Sequence, residues 1–208
     1  MTETKPTIFI VDDDPSVRQS TEMLLKSVGF NVKTFVSAQD FATANLQEDL
    51  GCLILDVRMP GISGLDLQEK LVSSKRPLPV IFITGHGTIP MSVRAMKAGA
   101  VDFLQKPFEE QDLLDAINRA IIQQRKRKSK KDEADKLQER LKALTPREYE
   151  VFSLLVTGMA NKEIAYKLGT SERTVKAHRA QIMEKMNAGS LADLICFAEK
   201  FKNHHSDH

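Results

Sequence analysis

The sequence predicts an α/β, doubly wound, five-stranded parallel sheet, followed by a small all-α helix-turn-helix domain, with a helical linker between the two. Five short strand-like runs, four of them mainly apolar, alternate with helical patterns over the first part of the 208-residue chain, which is typical of repeated strand–helix units. The second part has apolar residues at helical spacing only. We therefore assign residues 1–124 to the sheet domain, 125–142 to the linker and 143–208 to the helix-turn-helix domain.

Strands and helices alternate regularly in the sheet domain. Four of the five predicted strands are runs of mainly apolar residues, as expected for buried parallel strands, whereas residues 31–36 are half polar. The strands are predicted at residues 7–11, 31–36, 52–55, 79–83 and 101–104. The helices are predicted at 15–28, in a segment through 41, and at 65–72, 91–98 and 113–122. Asp14 precedes Pro15 at the first helix, so we expect Asp14 to be an N-cap and not a metal ligand.

Polar residues follow four of the five predicted strands. Asp12 and Asp13 follow the first strand, Asp56 the third, Thr84 the fourth and Lys106 the fifth. Because the carboxyl ends of parallel strands meet at one edge of a sheet, we expect these side chains to share a pocket. Clustered carboxylates repel one another, and Mg²⁺, which prefers oxygen ligands, relieves that repulsion.

Asp56 has three roles open to it: nucleophile, metal ligand or cap of the next loop. A carboxylate that attacks a phosphoryl donor needs neutralising positive charge, which Mg²⁺ and Lys106 would supply. The product would be an acyl phosphate, with Thr84 placed to hydrogen-bond its oxygens. Taken singly, Thr84 could merely end its strand and Lys106 could be solvated. Their joint placement at strand ends favours a chemical site.

This ordered set of residues resembles the receiver domain of two-component response regulators, over nearly all of residues 5–124. The Gly-His-Gly sequence after Thr84 and the stretch 97–100 particularly resemble the nitrogen-fixation regulator (FixJ-type) branch of that family. The segments that carry the resemblance are residues 11–14, 55–61, 84–87, 98–103 and 106–108.

The resemblance implies that Asp56 is the phosphoacceptor and that Mg²⁺ is the cofactor. Asp13 and Asp56 would bind the ion directly, together with the backbone carbonyl of Arg58. Asp12 would support the ion.

Three further features are implied by the same resemblance. Thr84 and Lys106 would bind the phosphoryl group, and Phe103 corresponds to the family's aromatic switch position. Phe103 also lies in an apolar strand, so plain core packing is an alternative for it. The peptide bond between Lys106 and Pro107 would be cis, whereas trans is the default for X-Pro bonds.

The linker begins with a basic run at residues 125–131, in which six of seven residues are Lys or Arg. Leu137, Leu141 and Leu144 follow at helical spacing, and no proline interrupts residues 110–145. The pattern predicts a helix that extends out of the sheet domain and frays near 128–131. The basic run either contacts DNA phosphates or forms a solvated face.

Four helices are predicted after the linker. Thr145, Pro146 and Glu148 form a capping box at the start of the first one. The second covers residues 161–168, the third 172–186, and the last begins at Ser190. The turn at 168–171 joins the second and third as a helix-turn-helix.

The third of these helices is predicted to enter a DNA major groove. Val175, Ile182 and Met186 share its inner face at 100° per residue. His178 lies near an edge, where it either binds phosphate, which we favour, or packs inward. The outer face combines small residues with long polar ones that can reach base edges: Arg173, Lys176, Ala177, Ala180, Gln181 and Glu184.

This second half resembles the LuxR/NarL-type helix-turn-helix output domain over residues 143–198, mainly through residues 144–148, 161–165 and 174–178. The resemblance implies base contacts by Lys176, Ala177 and Ala180. It implies phosphate contacts by Lys162 and Thr174, and a last helix that pairs two domains into a dimer.

Charge and composition are consistent with this division. Residues 1–124 hold 12 Lys and Arg against 16 Asp and Glu, whereas residues 125–208 hold 18 against 12, which favours nucleic acid as a partner of the second half. No apolar run approaches the length of a membrane helix and residues 1–6 lack a signal-peptide core, so we expect a cytoplasmic protein with no membrane partner. Cys52 and Cys196 are expected to be buried, reduced thiols.

The combined expectation is a phosphorylation-activated transcriptional regulator. A sensor histidine kinase would phosphorylate Asp56, and a homodimer would bind double-stranded promoter DNA. RNA polymerase would be a further partner of an activator, and the sequence does not separate activation from repression.

Two rival hypotheses belong to other classes of protein. A dehalogenase-type phosphatase needs a second acid two residues after the nucleophile, where this chain has Arg58, so we do not expect an enzyme. A protein-binding adaptor without a DNA target is the second rival. Salt-sensitive, sequence-selective DNA binding would exclude it.

Overall fold

The computed structural model of the protein describes residues 5–44, 50–73 and 78–206. The chain forms two compact units, Met1–Arg127 and Lys128–His208, and each is described by itself. The first four residues, on which the expectation of no signal peptide partly rests, lie outside the described residues. Within the described part of the chain, no helix combines the length and the apolarity that a membrane crossing requires.

The first unit contains a five-stranded parallel sheet, as predicted. Its strands are β1 (Thr7–Val11), β2 (Asn31–Phe35), β3 (Gly51–Asp56), β4 (Val80–Thr84) and β5 (Asp102–Gln105). The strand order is β2-β1-β3-β4-β5 and every pairing is parallel. All five carboxyl ends therefore lie at one edge, which is where open α/β sheets place their ligands.

Helices cover both faces of this sheet and create two separate apolar layers. They are α1 (Pro15–Ser27), α2 (Ala38–Thr43), α3 (Gly64–Ser73), α4 (Ile89–Lys97) and the first part of α5 (Glu110–Lys142). Alternate strand residues point to opposite faces. Phe9 and Leu53 pack in the layer that holds α2, α3 and α4 residues, whereas Ile8 and Ile54 pack in the layer that holds α1 and α5 residues.

The longest element, α5, confirms the predicted helix that extends out of the sheet domain. The structure shows one uninterrupted helix over Glu110–Lys142, whereas the pattern predicted fraying near 128–131. The expected fraying is wrong, because Lys, Arg and Glu are good helix formers and no proline or glycine interrupts the segment. The predicted bounds match β1 at both ends and differ by one residue at one or both ends of the other strands.

The second unit is all-helical. It contains the last part of α5, then α6 (Pro146–Leu155), α7 (Asn161–Lys167), α8 (Glu172–Met186) and α9 (Leu191–Ser206). Leu137 of the predicted linker and Leu144 are buried in the same core as Val175 and Ile182 of α8. The last part of α5 is thus part of the apolar core of this unit.

Caps fix the ends of these helices. Thr145 and Glu148 form the predicted capping box at α6, and the Ser171 hydroxyl accepts a hydrogen bond from the Thr174 amide at 3.1 Å at the start of α8. At the other end of α8, the guanidinium of Arg140 donates to the carbonyl oxygen of Met186 at 3.1 Å. Both ends of α8 are therefore held by side chains outside it.

The cysteines match the prediction only in part. Cys52 is buried, but Cys196 is exposed, so the expectation of two buried thiols is wrong for Cys196. Helix α9 packs through Leu194, which is fully buried, and through Phe197. Cys196 lies two positions after Leu194, which rotates it by about 200° around the helix, away from the core.

Candidate functional site

Three carboxylates meet at the carboxyl edge of the sheet. Asp12 and Asp13 directly follow β1 and Asp56 ends β3, and one oxygen of each lies within 4.8 Å of the others. Asp12 and Asp56 are buried whereas Asp13 is exposed. The predicted acidic cluster is therefore present, and Asp13 gives it an open side toward solvent.

Lys106 supplies positive charge to this cluster. Its Nζ lies 2.7 Å from Oδ2 of Asp12 and 3.9 Å from Oδ1 of Asp56. Its backbone amide donates to the carbonyl oxygen of Thr84 at 2.8 Å, which joins the ends of β4 and β5. The peptide bond that follows, to Pro107, is cis, as the resemblance implied.

Thr84 lies beside Asp56 because β3 and β4 are neighbours. Asp56 pairs in register with Ile83, the residue before Thr84. The Thr84 side chain is buried, and its hydroxyl accepts a long hydrogen bond from the His86 amide at 3.3 Å. The structure therefore gathers at this edge the five residues predicted from strand ends.

Local hydrogen bonds hold Asp12 in place. The Asp14 amide donates to Oδ1 of Asp12 at 2.9 Å, and the Arg18 guanidinium donates to the Asp12 carbonyl oxygen at 2.7 Å. Asp14 itself accepts from the amides of Ser16 and Val17 as the N-cap of α1, which confirms that it is a cap. The sequence did not predict the role of Arg18. An arginine in a predicted helix, six residues after Asp12, carries no sequence signal of a contact with the Asp12 carbonyl.

A glycine was also missed by the sequence reasoning. A Cβ atom at Gly64, the first residue of α3, would lie 2.1 Å from the carbonyl oxygen of Asp56. The Gly64 amide donates to the carbonyl oxygen of Val57 at 3.1 Å. Only glycine permits this close approach of two backbones, so Gly64 sets the path of the loop between Asp56 and α3.

The environment of Asp56 disfavours its charge. Burial is the main cause and raises the pKa of the Asp56 carboxyl from 3.8 to about 6, and the negative charges of Asp12 and Asp13 act in the same direction. The Lys106 ammonium and a hydrogen bond from the Val57 amide lower that pKa. A cation bound among the three carboxylates would favour the ionised form still further.

The donor set suits a hard divalent cation. Three carboxylates converge, and Asp13 is exposed so that the position is open to water, which matches the preference of Mg²⁺ for a few carboxylates plus retained waters. Lys106 neutralises part of the charge of the cluster but reaches mainly Asp12. Arg58, whose carbonyl the resemblance assigned to the ion, lies two residues after Asp56, with its side chain exposed.

Phe103 lies in β5, next to the loop that follows Thr84. Its ring centroid is 6.1 Å from that of Phe82. A Cβ atom at Gly87 would lie 2.9 Å from the Phe103 ring and 3.2 Å from the Thr84 methyl group. Phe103 is half-buried and packs against the apolar layer, so the packing role is observed, and the switch role stays a prediction.

The second candidate surface is the outer face of α8. Val175, Ile182 and Met186 are fully buried, as predicted. His178 and Thr174 are half-buried, and Lys162 of α7 is exposed. The residues predicted to face outward are all exposed: Arg173, Lys176, Ala177, Ala180, Gln181 and Glu184.

Both candidate sites lie in regions of the chain that match known protein families. Residues 8–118 match the response regulator receiver domain, and residues 142–198 match the bacterial regulatory proteins of the luxR family. The chain belongs to the response regulators. This response regulator combines a receiver domain with a LuxR-type DNA-binding domain, and it is a transcriptional regulator of a two-component system.

Curated relatives match this response regulator over nearly its whole length. Nodulation protein W of Bradyrhizobium diazoefficiens is 48% identical over 196 residues, which are 94% of this chain and 86% of that protein. Transcriptional regulatory protein TdiR of Thauera aromatica is 44% identical over 201 residues, 97% of this chain and 88% of that protein.

Solved structures show the same likeness. The response regulator StyR is 50% identical, with a TM-score of 0.86, over 95% of this chain and 100% of that one. Full-length FixJ from B. japonicum is 41% identical, with a TM-score of 0.58, over 96% of this chain and 98% of that one. The predicted likeness to FixJ-type regulators is confirmed.

Proposed function

We propose that Asp56 is the phosphoacceptor of this response regulator and that its phosphorylation by a sensor histidine kinase promotes dimerisation and promoter binding. The observation that carries the proposal is the convergence of Asp12, Asp13 and Asp56 within 4.8 Å, with Lys106 beside them. In this proposal the receiver domain covers residues 1–124, the linker 125–142 and the DNA-binding domain 143–208.

The proposed reaction is a phosphoryl transfer between two proteins. A carboxylate oxygen of Asp56 attacks the phosphorus of the kinase phosphohistidine, the P–N bond breaks, and the imidazole leaves with a proton from solvent. An acyl phosphate forms on Asp56. The Lys106 ammonium and the Thr84 hydroxyl lie at the same edge of the sheet, where they bind oxygens of the transferred group.

The same residues are proposed to hold the cofactor. Asp13 and Asp56 would bind Mg²⁺ through carboxylate oxygens and Arg58 through its backbone carbonyl, and Asp12 would support the ion. The ion supplies positive charge that offsets the charge of the phosphoryl oxygens. Because Arg58 stands where a phosphatase of the dehalogenase type needs an acid, we propose a regulator and not an enzyme that turns over phosphate esters.

Transmission to the dimer is proposed to run through Thr84 and Phe103. The loop after Thr84 contacts Phe103 and leads into α4. Helix α4 exposes Ile89, Val93 and Met96, with Ile89 81% exposed. Large exposed apolar side chains on one helix are typical of an association surface, and we propose that phosphorylation makes this face competent to pair with a second copy.

The output step is proposed to be major-groove recognition by α8. Lys176, Arg173 and Gln181 reach base edges, and the methyl groups of Ala177 and Ala180 approach thymine methyl groups. Phosphate contacts come from Lys162, Thr174 and His178. The regulator would act in the cytoplasm, with RNA polymerase as an additional partner where it activates transcription.

The proposal is tested by phosphorylating the full-length protein with acetyl phosphate in the presence of Mg²⁺. Intact-mass spectrometry should show one added phosphoryl group on the wild type and on Asp115→Asn, a control at an exposed aspartate of α5. Asp56→Asn should show none. Equal phosphorylation of Asp56→Asn would place the phosphoacceptor elsewhere.

A further inference from the structure

Helix α5 carries an unusually concentrated positive charge. In residues 125–131, which we name the basic segment, every position except Ser129 is Lys or Arg. All seven residues are exposed. The segment is helical throughout.

Packing does not explain the basic segment. Ile121 precedes it and is 8% exposed in one apolar core, and Leu137 follows it and is 7% exposed in another. All seven residues of the basic segment are exposed, so burial does not account for this sequence.

A solvated helix face does not explain it either. Seven consecutive residues at 100° per residue place positive charge on every side of the helix. The pairs Lys126–Lys130 and Arg127–Lys131 are like charges at i,i+4, which oppose helix formation. The acidic residues Asp132, Glu133 and Asp135 follow only after the basic segment, so the positive charge is confined to about two turns.

We propose that the basic segment binds the phosphate backbone of the DNA that α8 of the same chain recognises. The inference rests on the DNA-binding function of the output domain and adds a second, sequence-independent contact to it. Helical rise gives the basic segment a length of about 10 Å. One DNA strand presents a phosphate about every 3.4 Å along its axis, so the segment matches about three phosphates.

The side chains fit phosphates and not base edges. The outer face of α8 has Ala177 and Ala180, which permit close approach to a groove floor. The basic segment has only long side chains around Ser129, whose charges can neutralise phosphates without entering a groove. Along α5, Lys131 is six residues, or about 9 Å of helix, before Leu137, which is buried in the core of the second unit.

Salt dependence of DNA binding tests the proposal. The variant Lys126→Gln, Lys128→Gln, Lys130→Gln removes three charges and keeps good helix formers. The same three lysines changed to Arg keep the charge. A control variant, Lys5→Gln, Lys33→Gln, Lys70→Gln, removes three exposed lysines from the receiver domain. The probes are a duplex selected by the wild type from a random pool and a shuffled duplex of equal length.

We expect the Gln variant to bind both duplexes more weakly, by the same factor. Its plot of log affinity against log salt should be less steep than that of the wild type by about 0.9 for each phosphate that the variant no longer neutralises. The Arg variant and the receiver variant should keep the wild-type slope. An unchanged slope for the Gln variant would overturn the proposal, and an acidic protein would then be the better candidate partner.

A photo-crosslinking amino acid at Ser129 provides a test that removes none of the six charges. Full-length protein with the probe at Ser129 should crosslink to the selected duplex, whereas the same probe at the exposed Ser20 of α1 should not. Absence of a crosslink from Ser129 would contradict the proposal. If the wild type does not distinguish selected from shuffled duplex, sequence-specific DNA binding itself fails. If the wild type does distinguish the two duplexes and the Gln variant keeps the wild-type salt slope, only the proposed role of the basic segment is excluded.

Discussion

The ammonium of Lys106 lies closer to Asp12, at 2.7 Å, than to Asp56, at 3.9 Å. Burial raises the pKa of the Asp56 carboxyl to about 6, and the Lys106 ammonium offsets only part of that increase. In the proposed reaction Lys106, 3.9 Å from Asp56, would bind the phosphoryl group on that residue. The pairing with Asp12 holds the lysine near the site before the reaction.

Replacement of Lys106 by Gln should slow phosphorylation of Asp56. The variant loses a positioned positive charge that stabilises the transferring group, an effect typically worth about 10²-fold in rate. The measurement is the time course of intact mass with acetyl phosphate and Mg²⁺. Lys70→Gln, at an exposed lysine of α3, is the matched control. A Lys106→Gln rate equal to that of the control would remove Lys106 from the reaction.

Replacement of Gly64 by Ala should destabilise the receiver domain and slow its phosphorylation. The new methyl group would overlap the Asp56 carbonyl oxygen, which is 2.1 Å from the Cβ position, and such overpacking typically costs about 1–3 kcal/mol. Thermal unfolding of the full chain by calorimetry gives the stability. Gly85→Ala is the control, because a Cβ there meets nothing within 4 Å. Equal melting of the two variants would show that the loop accommodates the methyl group without cost.

The sequence was sufficient to predict the acidic site, because each residue of the site is indicated by its immediate neighbours in the sequence. Each of Asp12, Asp56, Thr84 and Lys106 follows an apolar strand, and parallel strands bring those ends together. Relationships between distant segments were beyond that reasoning. The contact of Gly64 with the Asp56 carbonyl depends on the path of a loop, which residue patterns do not encode.

The output domain shows the same division between local and distant information. The burial of Val175 on α8 followed from helical periodicity, and the Thr145 capping box from residue types at a fixed spacing. The hydrogen bond from Arg140 to Met186 joins residues far apart in the chain. The exposure of Cys196 depends on how α9 rotates its apolar side toward the core, and several residues of α9 are apolar.

Acid should weaken the output domain through Glu148. The Lys185 ammonium, 2.6 Å away, and the Thr145 amide, 2.7 Å away, hold the pKa of the Glu148 carboxyl below its ordinary value of 4.5. Because this pKa is lower in the folded state than in the unfolded state, the ionised carboxylate stabilises the fold at pH values above its ordinary pKa. That stabilisation is lost as the pH falls through the folded-state pKa.

Glu148→Gln should therefore cost about 1 kcal/mol at neutral pH, and its difference from the wild type should shrink in acid. Tyr149 and Tyr166 are the only tyrosines and the chain has no Trp, so tyrosine fluorescence during denaturant unfolding of the full chain reports this domain. Glu150→Gln, which removes an exposed pair with Arg147, should have little effect. A loss for Glu148→Gln that does not vary with pH would contradict the electrostatic account.

Lys176 and Lys162 should differ in what they contribute to DNA binding. Lys176→Ala should weaken binding to the selected duplex by about 1–3 kcal/mol and relax the base preference, because it removes a base contact. Lys162→Ala should weaken selected and shuffled duplexes equally and reduce the salt slope by about 0.9, because it removes a phosphate contact. Titration of both duplexes at several salt concentrations separates the two. Equal behaviour of the variants would show that the assignment of base and phosphate contacts is wrong.

The central claim is that the chemical state of Asp56 controls association of the response regulator. The most direct measurement is sedimentation velocity of the full-length protein with Mg²⁺, with and without beryllium fluoride as a phosphoryl mimic, beside Asp56→Ala. We predict a shift from monomer to dimer on addition of the mimic to the wild type, and none for Asp56→Ala. A wild type that keeps the same sedimentation coefficient with and without the mimic, or an Asp56→Ala variant that shifts equally, would contradict the claim.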